Sequence, residues 1–94
     1  MSRLRKQLPV THGAGELRFR GASHPVTYEI TGDPATLRPG PLRLRGALSA
    51  TPEIATDAFR AGEADLVLEG GTTYRIVLLG HTAGSGTAHF EMRV

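Results

Sequence analysis

Residues 64–94, ADLVLEGGTTYRIVLLGHTAGSGTAHFEMRV, decide the fold, because one simple alternation runs through them three times. Ala64, Leu66 and Leu68 share one face of an extended chain. Tyr74, Ile76, Leu78 and Gly80 share a face of a second, and Ala88, Phe90, Met92 and Val94 a face of a third. Successive side chains of a strand point to opposite faces, so a period of two marks half-buried strands. Glu69-Gly70-Gly71-Thr72-Thr73 and Gly84-Ser85-Gly86 lie between them and are rich in turn formers. Setting Leu68 against Tyr74 and Leu66 against Ile76 satisfies the first hairpin. Leu78 against Met92, Ile76 against Val94 and Phe90 over Gly80 satisfy the second. One register serves both, which predicts a three-stranded antiparallel meander. Its middle strand is apolar on the second face as well, at Val77 and Leu79, with Val67 beside them. Strands apolar on both faces are usually covered on both. Val67, Val77 and Leu79 are therefore the candidate oligomer interface, unless the helix covers them.

Upstream, Thr51-Pro52-Glu53 combines a capping hydroxyl, a proline at the first helical position and an acid near the positive end of the helix dipole. Ile54, Ala55, Ala58, Phe59 and Ala61 form an apolar stripe, and Gly62 is the expected stop. This predicts one helix of roughly ten residues. Before it, Leu17 and Phe19 alternate with Arg18 and Arg20. Val26, Tyr28 and Ile30 then alternate with Thr27 and Glu29, and Leu42, Leu44 and Leu48 with Arg43, Arg45 and Ala47. A turn over residues 21–25 would set Phe19 against Val26 and Leu17 against Tyr28. Residues 31–41 read as a loop. The segments LRFRGA (17–22) and LRLRGA (42–47) echo each other without a third copy, so they are two similar strands and no solenoid.

The expected fold is mainly β (α+β): a six-stranded curled antiparallel sheet or small open barrel with one short helix between strands 3 and 4. Residues 1–15 read as a basic N-terminal tail and lead-in, and 16–94 as a single globular domain. Ninety-four residues suit one domain. With no cysteine, neither disulfides nor thiolate metal sites reinforce the core. The abundance of Ala, Gly and Arg, with one lysine and no Asn or Trp, points to a GC-rich bacterial source. Arg3, Arg5 and Lys6 carry the basic excess; the other 88 residues hold eight basic and nine acidic groups. A near-neutral body argues against broad electrostatic steering to nucleic acid. The longest aliphatic run, Ile76-Val77-Leu78-Leu79, is far too short for a membrane span, and the basic start lacks the apolar stretch of a secretory signal. The cytoplasm is the expected compartment, without a membrane partner.

Among residues with chemistry, Arg18, Arg20, Arg43 and Arg45 would all project from the outer face if strands 1 and 3 share a sheet. Guanidinium forks suit phosphate or carboxylate. Over its first five strands the order strand-strand-strand-helix-strand-strand resembles the oligonucleotide-binding barrel, whose helix lies between its third and fourth strands. That resemblance implies binding of nucleic acid or another anionic ligand through the arginine face, and it is an analogy of fold alone. Single-strand readers use aromatic platforms; here Phe19, Tyr28, Tyr74 and Phe90 are assigned inward and Phe59 to the helix. Glu29 also neutralises part of the arginine face. Nucleic acid is therefore not favoured over a solvated, charged sheet face.

His81 and His89 would stand opposite each other on the outer face, with no third ligand converging, so no metal is expected. The run Gly80–Thr87 lacks the lysine and following helix of a phosphate loop, and Ser85 lacks the strand-turn-helix of a nucleophile elbow. Glu63, Asp65 and Glu69 lie along one strand where surface charge is ordinary, without a buried, opposed carboxyl pair. No catalytic residue and no cofactor is expected. The reading that remains is a small non-enzymatic interaction or structural module, self-associating through a sheet edge or the Val67/Val77/Leu79 face, with a copy of itself or another protein as partner.

Overall fold

Period-two alternation produces six strands, and a computed structural model describes them over residues 10–31 and 43–93. In chain order they are β1 (Val10–Phe19), β2 (Ala22–Thr31), β3 (Arg43–Ser49), α1 (Pro52–Ala61), β4 (Glu63–Val67), β5 (Thr73–His81) and β6 (Thr87–Arg93). Arg3, Arg5, Lys6, most of the 31–41 loop, Leu42 and Val94 lie outside the described residues. Two antiparallel meanders, β1-β2-β3 and β4-β5-β6, are joined by α1. They close on each other through β3–β6 and β1–β4, giving the ring β1-β2-β3-β6-β5-β4. The barrel is closed.

The inward teeth form one core that includes Leu17, Val26, Tyr28, Ile30, Leu48, Leu66, Ile76, Leu78, Phe90 and Met92. Each large side chain removed from water contributes about 1.5–3 kcal/mol, and no polar or charged side chain among the described residues is buried. Helix α1 plugs one end of the barrel. Thr51 Oγ1 accepts from the Ile54 N–H at 3.2 Å, Pro52 opens the helix, and Gly62, at φ 85°, closes it by donating to Ala58 O. Ala55 and Ala58 are fully buried, so two small residues let the helix backbone approach the core. Phe59, expected in the apolar stripe, instead stays exposed. The helix covers the barrel end rather than the outer face of β5, which leaves Val67 and Val77 half-buried and Leu79 exposed.

The faces are as the alternation implies, but three registers differ. In β1–β2 the turn is the two-residue Arg20-Gly21, both at positive φ (53° and 77°), so Leu17 faces His24 and Phe19 faces Ala22. Two central residues at positive φ match the twist of a tight hairpin, and residues 22–25 join β2 instead of forming a broad turn. In β4–β5 the ladder continues to Leu68 N–H donating to Thr72 O. The loop shrinks to Glu69-Gly70-Gly71, with Leu66 against Tyr74 and Ala64 against Ile76. Both shifts are by an even number of residues, so no side chain changes face. In β5–β6, Ile76 faces Met92 and Leu78 faces Phe90; a bulge at Leu79 then offsets the ladder by one. Gly46 of β3, not Gly80, lies beneath the Phe90 ring, where a Cβ would come within 2.7 Å of Cζ.

Strand β1 starts at Val10, so the barrel takes in residues 10–15, which the sequence reading assigns to the lead-in. Gly13 and Gly15 look like loop markers there. Both share the inward face of Leu17, opposite Tyr28 and Val26. A side chain at Gly13 would collide with the Tyr28 ring, and one at Gly15 with the Val67 carbonyl. Gly15→Ala should lower unfolding free energy by about 2 kcal/mol, the usual cost of overpacking against a backbone that cannot yield. Gly70→Ala, where a Cβ meets open space, should change it by less than about 0.5 kcal/mol. Urea denaturation of the two variants distinguishes these outcomes.

Candidate functional site

The closing seam generates the two surface features with binding potential. β1 is paired with β2 along its whole length, but with β4 only at Glu16–Val67, Leu17–Leu66 and Arg18–Asp65. The strands separate on both sides of this short ladder.

Beyond Arg18–Asp65 they part around an open groove of about 1070 Å³. The β1–β2 tip supplies one wall, with Arg18, Phe19, Arg20 and Ser23. The end of α1 and start of β4 supply the other, with Arg60, Glu63 and Asp65, and Arg75 of β5 lies behind. The acids are occupied. Arg75 bridges Asp65 at 3.0 Å and Glu63 at 3.4 Å, and Glu16 takes the Ser23 hydroxyl at 2.8 Å and Arg18 at 3.2 Å. Neither Arg20 nor Arg60 has an ion-pair partner among the described residues. Arg60 also sits in the last turn of α1, where a cation complements the helix dipole. Arg20 occupies a left-handed backbone position that costs a Cβ-bearing residue about 1 kcal/mol or more.

Beyond Glu16–Val67 no strand among the described residues pairs with the outer edge of β1. Ala14 N–H points away from β2 and donates to Glu69 Oε1 at 3.1 Å, while Glu69 N–H donates to Tyr28 Oη at 2.9 Å. These bonds latch the β4–β5 loop onto β1. Strand N–H groups alternate in direction, so those of Val10 and His12 share the outward side with Ala14. No strand among the described residues pairs with them there. The exposed side chains along this stretch are Val10, His12 and Ala14, with His12 Nδ1 3.4 Å from Glu29.

The arginines of the sequence reading separate into two places. Arg18 and Arg20 line the groove. Arg45 faces Thr31 on β2 whereas Arg18 faces Ser23, eight residues away, or about 26 Å at 3.3 Å per residue. Arg43 follows Arg45 at that far end by backbone position. The groove brings in Arg60 and Arg75 instead. Val67 is flanked by Glu16 and Thr73, and Val77 by Glu63 and Glu91, so carboxylates interrupt the expected apolar face. The β5–β6 register and its bulge also part the histidines. His81 pairs with Ala88 and its Nε2 lies 2.9 Å from Ser85 O, while His89 pairs with Gly80 and stays exposed. No group of three or more metal-ligating side chains occurs among the described residues.

No family model matches the chain, and no curated protein or solved structure matches it. No helix among the described residues is long and apolar enough to cross a membrane.

Hydrogen bonds from Ser23 and then Arg18 hold the Glu16 carboxyl below its ordinary value. A folded value below the unfolded one stabilises the fold above the unfolded value, and this contribution is lost as pH falls through the folded one. Ser23→Ala should move the Glu16 midpoint upward in an NMR carboxyl titration. Arg20→Asn should raise stability by about 0.5–1 kcal/mol in thermal denaturation, since asparagine tolerates the left-handed turn position.

Proposed function

We propose that this protein is a small non-enzymatic interaction module that associates with a second copy of itself by strand addition along the outer edge of β1. One observation carries the reading: Val10 and His12 direct backbone donors and acceptors outward from a strand that β2 already holds rigid. Such an edge is a template for another strand. Residues 10–14 lack the lysines, prolines and bulges by which edges are usually blunted. Antiparallel pairing about a two-fold axis at Thr11 would set Val10 against His12 of the second copy, using the two outward donors that the Glu69 latch leaves untouched. The contact is then self-complementary and closes as a dimer. An interior with no buried charged side chain among the described residues supports a binding role over catalysis. The cysteine-free composition supports work in a reducing bacterial cytoplasm.

Leu79, 49 % exposed, and Phe59, 41 % exposed, offer a second surface, with the Phe59 ring 6.2 Å from that of His81. The two readings separate cleanly. His12→Pro removes an outward N–H while sparing the ladder to β2, whose donors come from the odd-numbered positions, and proline is tolerated on edge strands. Light scattering at about 0.1–1 mM, in the affinity range of a small interface, should show a dimer for the wild type and a monomer for His12→Pro. Circular dichroism of the variant should be unchanged. A monomeric wild type overturns self-association. A dimer that survives His12→Pro and dissociates with Leu79→Ser moves the interface to β5.

A further inference from the structure

At the opposite end of the seam, we infer that the groove between the β1–β2 tip and the end of α1 binds an organic phosphate monoester, with Arg20 and Arg60 clasping the phosphate from facing walls. The inference is independent of strand addition, which uses the other end of β1.

Charge pairing selects the class of ligand. Seven ionisable side chains line the groove, four guanidiniums against three carboxylates, and Glu16, Glu63 and Asp65 are ion-paired with Arg18 and Arg75. Two guanidiniums, Arg20 and Arg60, are left without carboxylates among the described residues. A carboxylate ligand is planar, and a single arginine fork satisfies it. A phosphate monoester carries about −1.5 to −2 near neutral pH and three acceptor oxygens arranged around a tetrahedral centre. It therefore matches two cations that arrive from different sides. A polyanionic strand fits less well, because Glu16, Glu63 and Asp65 would repel its further phosphates.

The groove also has somewhere to put the organic part of the ester. Phe19 lines it, half-buried against the core and tilted beside His24 at 5.3 Å, and Ala22 and Ala61 add small apolar surface. The ring is thus held in place before any ligand arrives. Arg18 and Arg75 add reserve donors, since exposed ion pairs of their kind are worth at most about 1 kcal/mol and rearrange readily.

The test is a titration of the 15N-labelled 94-residue chain with phenyl phosphate, at constant ionic strength, up to about 20 mM, which covers weak millimolar binding. Saturable amide shifts confined to Arg20–Ser23 and Arg60–Asp65 are the expected result, with inorganic phosphate weaker and benzyl alcohol inert. The Arg20→Asn, Arg60→Gln double variant keeps both a turn-compatible residue and a good helix former. It should bind at least about tenfold more weakly while retaining its dispersed spectrum. Absence of shifts at these amides, or equal binding by the double variant, overturns the proposal. Tighter binding of octathymidylate at the same amides overturns the monoester assignment in favour of a nucleic-acid strand. A wild type that binds phenyl phosphate as a monomer supports the groove and fails strand addition, so the two ideas stand or fall separately.

Discussion

The structure depends on how closely β1 approaches β4. Four of the six contacts in the ring join strands adjacent in sequence, and β3–β6 runs over a full-length ladder. The seam is different, with a short ladder and no turn to enforce it. Two things make it close. Gly15 removes the side chain that would strike the Val67 carbonyl, and Gly13 makes room for Tyr28, whose hydroxyl accepts from Glu69 N–H. Glu69 in turn accepts from Ala14 N–H. Backbone proximity and a side-chain latch thus substitute for the missing ladder. Burial of Leu17 and Leu66 beneath it supplies the driving force.

A seam this short has consequences at both ends. Strand β1 is ten residues long and β4 is five, so at least half of β1 has no β4 residue to pair with on that side. The mismatch leaves an edge beyond the reach of β4 at one end and a splayed, charged groove at the other. Neither surface follows from a motif. Both follow from unequal strand lengths meeting in a closed ring. The same inequality explains why surface chemistry is concentrated around β1 while the β3–β6 side is an unbroken ladder.

The inner faces were legible because period two is local: Leu66, Ile76, Leu78, Phe90 and Met92 declare themselves by alternation alone. The helix was legible through Thr51, Pro52 and Gly62, each of which acts on its own neighbours. Closure was not, since nothing near Glu16–Arg18 in sequence refers to Asp65–Val67. Gly13 and Gly15 were misleading for a physical reason. Glycine is favoured in turns by its backbone freedom, but it is also required wherever two backbones crowd, and only the second use applies here. Arg60 and Arg75 were missed for the same non-local cause, although outward alternation on β5 marks Arg75 as a surface residue. The histidine pairing failed twice over: the Ile76–Met92 register already moves His81 out of line with His89, and the bulge at Leu79 then changes the parity of everything beyond it.

The position of Arg20 joins these threads. A tight two-residue turn needs positive φ at both centres, and asparagine or glycine would serve at the first with less strain. Arginine there is a local cost in a protein whose other described positive-φ residues, Gly21, Gly62, Gly71 and Gly84, are all glycine. Consistency between local preference and fold is the normal state of a folding sequence, and a departure from it directs attention to function. Here the departure falls on the lip of the groove and concerns a cation without a carboxylate partner among the described residues. Strain, charge and concavity, which arise from backbone geometry, ion pairing and strand length respectively, coincide at one residue. Their coincidence gives the groove a stronger claim to function than either its size or its arginines would give alone.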